Sequence, residues 1–171
     1  MTHADQVHGV PLAEVEARMR PGEFSQTGFL GPNESLRDVL GTDARALSDL
    51  GVTASALSAG LRELLETAIA SKQTVTRVGH YKVKVRRYKG SQICPFAPQP
   101  FENPCPGGDT WLASIDWDIR NTRRPFRLSG PGLIVHLIGV HAFFEGLQSP
   151  YRVAPRALAE LLELGPFAVS P

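Results

Sequence analysis

Between Gly90 and Thr110 the chain reads GSQICPFAPQPFENPCPGGDT, a run holding five prolines and three glycines. Proline lacks a backbone donor and fixes φ, so neither a helix nor an interior strand can pass through such a segment. Regular structure must therefore be built on either side of a long irregular connection. Both cysteines of the chain, Cys94 and Cys105, lie inside it.

The part before this connection is helical in pattern. Pro11 to Met19 reads as a first amphipathic helix, with Leu12, Val15 and Met19 on one side and Pro21-Gly22 ending it. Asn33 is placed to cap a second short helix that Gly41 ends, and Thr42 opens another through Leu50. Thr53 or Ser55 then caps the strongest helix, over about Ala54 to Ala70. Leu57, Leu61, Leu64, Leu65 and Ala68 form its buried stripe. The spacing of TDARALSDLGVTASALSAGLREL also invites a helix-turn-helix reading, but the region is acidic, which favours core packing or protein contact.

After Lys72 the period changes from helical to alternating. Thr74 to Tyr88 predicts one long strand or a bent pair, with Tyr81, Val83 and Val85 on one face and Lys82, Lys84 and Arg86 on the other. Gly79 marks a bulge or bend. Beyond the connection, Thr110 to Ile119 alternates again, with Trp111, Ala113, Ile115, Trp117 and Ile119 opposite Ser114, Asp116 and Asp118. These segments pair as antiparallel strands. Leu133 to Ile138 reads as a buried strand ended by Gly139, with a helix toward Phe144 as the alternative. Pro155 to Leu164 closes the chain as a helix. The expected fold class is α+β: a helical N-terminal half packed on a mainly antiparallel β-sheet, with a C-terminal helix. Residues 1–171 are read as one domain, 1–70 being its helical subregion and 72–171 its sheet-rich one.

The most apolar stretch, Leu133 to Leu147, contains His136, His141 and Glu145 and is too short to span a bilayer, so no membrane association is expected. No basic-then-apolar leader opens the chain, and a cytoplasmic location is the default. The formal charge of +1 hides an imbalance. Residues 1–70 carry a net of −5 and residues 71–171 a net of +6. An anionic partner, nucleic acid or an acidic protein, is expected to meet the second half through Lys82, Lys84, Arg86, Arg123 and Arg124. Tyr81, Tyr88 and Phe126 are candidates to stack on exposed bases. The bland alternative is a solvated basic face. GPNESL and SGPGL lack the glycine-rich strand-to-helix pattern of a nucleotide fingerprint.

The donor residues point to zinc. Two thiolates and two imidazoles, Cys94, Cys105, His136 and His141, form a tetrahedral set, and a shared ion would hold a proline-rich loop with few core anchors. The spacing is not that of a short zinc finger. On a helix His136 and His141 would point about 140 degrees apart, and on a strand to opposite faces, so convergence is expected to need a break near Gly139. Two alternatives use the same cysteines: a Cys94–Cys105 disulfide, or two buried free thiols beside ordinary histidines. A catalytic version puts His80, His136 and His141 around an ion whose bound water attacks a substrate, with Glu145 or Asp116 moving the proton. A further one makes Cys94 a nucleophile activated by histidine. The leading expectation is a small binding or accessory protein with structural zinc and a basic partner surface. A metal-dependent hydrolase and a metal-free interaction domain are the competing ones.

Overall fold

The computed structural model describes residues 5–100, 102, 105–108 and 111–170. A short hairpin, β1 (Gln6–Val7) and β2 (Val10–Pro11), leads into α1 (Leu12–Arg18). The second helix, α2, runs unbroken over Leu36–Leu50 and is capped by Ser35, whose Oγ accepts from the Asp38 amide at 3.4 Å. The expected cap at Asn33 and the stop at Gly41 are both corrected. The buried positions Leu36, Val39, Asp43, Leu47 and Leu50 keep helical spacing straight through Gly41. Burying that stripe offsets the roughly 1 kcal/mol that an interior glycine costs. The helix stops at Gly51, where the backbone turns left-handed at φ 66°. A Cβ on Gly41 would meet nothing closer than the Arg45 guanidinium at 3.7 Å. Gly41→Ala should therefore raise stability by about 0.5–1 kcal/mol in urea unfolding; a loss instead would mean the helix is broken there.

Helix α3 (Ala54–Ala70) has the expected bounds, and Thr53 caps it by accepting from the Ala56 amide at 3.0 Å. Its buried stripe is Leu57, Leu61, Leu64, Leu65 and Ala68.

The sheet is an antiparallel meander in the order β3-β4-β5-β6, built of Val75–Val78, Tyr81–Arg87, Ile115–Asn121 and Phe126–Pro131. Val78 pairs with Tyr81, so Gly79 and His80 form a tight turn, and the bent pair is a hairpin. Val83 pairs with Ile119 and Val85 with Trp117, which sets the inner faces of β4 and β5 together as the alternation predicts. The strand expected from Thr110 starts later, at Ile115, after a single 3-10 turn over Leu112–Ser114; Thr110 itself lies outside the described residues. Trp111 does not share the inner face. It is 59% exposed, with the Arg87 guanidinium over its ring at 4.1 Å.

Leu133 to Ile138 is not a strand. It belongs to helix α4 (Ile134–His141), whose residues Ile134 to Ile138 are all buried. An element buried on every side shows no period, so the pattern of this run cannot separate helix from strand. Gly139 does not break the helix. It lets α4 lie close on α3: a Cβ there would fall 2.5 Å from Ser58 Oγ, and that hydroxyl donates to the Val135 carbonyl at 2.7 Å. The turn comes after His141, where Ala142 is left-handed (φ 50°) and the Phe143 amide bonds back to the Leu137 carbonyl.

The last helix, α5 (Pro155–Leu162), packs on α3 and β6 and ends at Glu163 (φ 56°), earlier than Gly165-Pro166, which form a 3-10 turn. Tyr81 Oη and Asn121 Nδ2 both donate to the Leu161 carbonyl, at 2.9 and 3.1 Å, tying this helix to the sheet. Burial pushes the Tyr81 phenol up to about 12. The result is a mixed α+β fold, as expected, with helices on one face of an antiparallel sheet and the other face open. Among the described residues no helix is long and apolar enough to cross a membrane.

Candidate metal centre

The proline-rich connection is held down before it reaches its first cysteine. The Gln92 amide donates to the Ala113 carbonyl at 2.9 Å, and Tyr88 Oη to the same carbonyl at 3.1 Å. Just past Cys94, the Arg18 guanidinium of α1 donates to the carbonyls of Pro95 (3.1 Å) and Ala97 (2.7 Å). Phe96 is buried and lies flat on the His141 ring, 4.1 Å between centroids, with Phe143 against its edge. Backbone anchoring and an aromatic wedge thus place Cys94 against the C-terminal end of α4.

There the four expected donors meet. Cys94 Sγ is 3.5 Å from His141 Nε2, and Cys105 Sγ is 3.2 Å from the same nitrogen. The rings of His136 and His141 stand edge to face, 5.1 Å apart, and one ligand atom from each of the four residues lies within 4.8 Å of all the others. Convergence needs no break in α4, contrary to expectation. The imidazoles are long enough to close the angle from neighbouring turns at the helix end.

The distances fit sulfur hydrogen bonds and are also close to those of donors around a shared ion. A tetrahedron with Zn–S near 2.3 Å and Zn–N near 2.0–2.1 Å has edges of roughly 3.4–3.8 Å. A single imidazole nitrogen carries either one proton or one lone pair, so it serves one partner properly, and here two sulfurs face it. Both ring nitrogens of His136 are buried and neither makes a hydrogen bond of good geometry, the Gly107 backbone being the nearest partner. Buried polar atoms are seldom left so, and an ion among these donors would satisfy one of them.

Electrostatics lead the same way. Burial, reinforced by Cys105, pushes the Cys94 thiol well above its ordinary range, and burial also raises Cys105. Burial lowers His136 and takes His141 down to about 3. The site therefore holds neutral thiols and neutral imidazoles, a poor setting for a cysteine nucleophile, which needs its thiolate favoured. A cation supplies what such a pocket lacks, because it binds neutral imidazole and draws the proton off a coordinating thiol. The disulfide alternative is not found: both cysteines are free.

A cavity of about 260 Å³ adjoins the cluster and is lined by Cys94, Cys105 and His136 together with Gln92, Ile93 and Leu133. The Gln92 Oε1 atom is buried and has no hydrogen-bond partner.

The remaining candidates lie elsewhere. His80 sits in the β3–β4 turn, 2.7 Å from Glu163, and is not one of the converging donors. Glu163 also receives Arg123 at 2.5 Å and faces Arg124 Nε at 3.5 Å. One carboxylate thus ties both hairpin turns to the end of α5. Burial raises its pKa, but Arg123 and His80 outweigh that and hold it below the ordinary value. Arg123 and Arg124, expected on a partner surface, are engaged in this network, and Arg124 also donates to the Phe167 carbonyl. Asp116 is exposed on the outer sheet face.

Glu145, the other expected proton carrier, is buried and accepts from Ser149 Oγ at 2.5 Å. Burial pushes its pKa from the ordinary 4.5 to about 7. The protonated form is favoured on folding, so stability is full below pH 4.5, falls as the pH rises toward 7 and is level above it. Glu145→Gln keeps the acceptor and removes the titration. It should match the wild type in urea unfolding near pH 4.5 and exceed it at pH 8 by on the order of 3 kcal/mol.

The sequence reading missed His8. At the tip of the β1–β2 hairpin, with φ 52°, it brings Nε2 to 3.7 Å from Cys105 Sγ and its ring to 6.0 Å from that of His141. The available signal was the His8-Gly9 pair between Val7 and Val10, the mark of a two-residue turn. No family model, curated protein or solved structure matches the chain.

Proposed function

We propose that this chain is a small, single-domain binding or accessory protein whose proline-rich loop is held by one structural zinc ion. Cys94, Cys105, His136 and His141 are its ligands, and His8 donates a hydrogen bond to the Cys105 sulfur from outside the coordination sphere. One observation carries the reading: four soft and borderline donors from two distant parts of the chain have ligand atoms within 4.8 Å of one another. A tetrahedral S2N2 set selects zinc among common ions.

Catalysis by an ion held through His80, His136 and His141 is less well supported, since His80 is taken by Glu163 and Cys94 and Cys105 complete a set of four donors beside His136 and His141. The adjoining cavity is the feature that favours it. Elemental analysis of untagged protein, purified without chelator, tests the main reading. One zinc per chain is expected, falling below about a tenth in Cys105→Ala and His141→Ala. Cobalt(II) replacement should give the intense visible absorption of a tetrahedral thiolate site. Zinc content near zero after dialysis against zinc and then buffer would end the proposal.

A further inference from the structure

The outer face of the sheet carries a line of charge that a zinc site does not use. The strand register sets Arg77 opposite Lys82, Lys82 opposite Arg120, and Arg120 opposite Arg127. Four strands thus contribute one cation each to a single row, and all four residues are exposed. Side chains directly opposite on antiparallel strands share a face, so the row runs straight across the sheet for about 14 Å, three spacings of roughly 4.8 Å.

The neighbouring rows are arranged differently. Lys84 stands opposite Asp118, and Arg86 opposite Asp116, as charge complementarity asks. Only the Arg77–Lys82–Arg120–Arg127 row sets like against like, which costs the fold stability. Asp118 is engaged by Arg127, whose Nε donates to it at 2.8 Å. Arg77, Lys82 and Arg120 have no ion pair among the described residues. A local rule broken in one row and obeyed in the next two marks a site with a partner.

The face also limits what that partner can be. Helices α3 and α5 pack on the other side of the sheet, so this one is open. Val75 is the only large exposed hydrophobic on it among the described residues, too little for the apolar centre of a protein interface. The row itself carries no aromatic ring, and Tyr88, half-buried just past the end of β4, is tied by its hydroxyl to the Ala113 carbonyl. Tyr81 is buried, and Phe126 alternates with Arg127 onto the covered side. Two of the three candidates for base stacking, Tyr81 and Phe126, thus face away from the row, which offers charge alone.

We propose that this row binds the phosphate backbone of double-stranded nucleic acid without reading its bases. A duplex carries one negative charge per about 1.7 Å of axis counting both strands, so roughly eight lie along 14 Å and about half of them, four, face the protein within reach of the four long side chains. Arg127 exchanges Asp118 for phosphate on binding. Of the partner residues expected from the sequence, Lys82 belongs to the row, while Lys84 and Arg86 stay beside their aspartates at its margin.

The test is fluorescence anisotropy of the zinc-loaded protein with a labelled mixed-sequence 20-base-pair DNA duplex between 50 and 200 mM NaCl. Four phosphate contacts predict a slope of about −3.6 in log affinity against log salt, an affinity loss of roughly 150-fold over that range. Lys82→Gln and Arg120→Gln should each lower the slope by about 0.9, to a loss near 40-fold. Arg45→Gln, an exposed arginine on α2, should change nothing. Circular dichroism melting checks that each variant folds. No binding at 50 mM salt, or slopes unchanged in both row variants, overturns the proposal. Tighter binding to the single strand, or equal competition by polyglutamate of matched charge, also overturns it and moves the partner to another class. The zinc reading stands or falls separately, on metal content.

Discussion

With the proposed zinc in place, stripping it should lower the unfolding free energy by at least about 4 kcal/mol, the linkage expected when free metal exceeds its dissociation constant roughly a thousandfold. For a chain of this size that is a fall in Tm of about 10 °C or more. The loss should be local in origin. The core that joins α2, α3, α5 and the sheet is built from apolar residues and needs no ion. Among the described residues of the connection from Gly90 to Gly108 the anchors are few: Arg18 holds two carbonyls, Phe96 stacks on His141, and backbone bonds at Tyr88 and Gln92 tie its start to Ala113 and Ser114. The metal-free protein should therefore keep its far-ultraviolet dichroism, while amides of residues 92–97 lose protection from hydrogen exchange. Cys94→Ala and His136→Ala should reproduce the metal-free protein and become insensitive to added chelator. A chelator that leaves Tm and exchange unchanged in a zinc-loaded sample would show that the loop does not depend on the ion.

Arg152→Met should cost about 3–5 kcal/mol, the usual penalty for orphaning a buried charge. Asp43 is 1% exposed on the buried face of α2, and its two oxygens receive the Arg152 guanidinium at 2.6 and 3.1 Å. The same guanidinium donates to the Glu145 carbonyl at 2.6 Å, so it also fixes the turn that follows α4. Without it the Asp43 carboxylate is left in the core with no counter-charge. The double substitution Asp43→Leu with Arg152→Met removes both charges and should recover most of the loss, because an apolar pair avoids the desolvation cost. Urea unfolding of the wild type, both single variants and the double variant closes the cycle. A single-variant cost below about 1 kcal/mol would mean that water reaches Asp43 and that the pair is only a surface bridge.

These two sites differ in how far the chain announces them. Asp43 lies on the apolar stripe of α2 at Leu36, Val39, Leu47 and Leu50, where a charge demands a partner, but nothing local names Arg152 across more than a hundred residues. The candidate metal donors were visible as a residue set, and their meeting was not. His136 and His141 are brought together by the end of a helix that the sequence suggested as a strand, and His8 enters from a hairpin far up the chain.

Short-range features were settled by the sequence itself: the cap at Thr53, the stripe of α3, the alternation of Tyr81 to Arg87, and the irregular course of the proline-rich run. Each depends on steric and hydrogen-bonding preferences acting within a turn or two of chain. The run Ile134 to Ile138 of α4, buried on every side, carried no period, so its conformation was decided by packing, with Gly139 admitting Ser58 and α3. The same long-range packing took Arg123, Arg124 and His80 into the Glu163 network. It also set the strand register that lines up Arg77, Lys82, Arg120 and Arg127, and it closed the distance between Cys94 and His141. Such convergence is a property of loop closure and core burial over the whole chain, which no local pattern encodes.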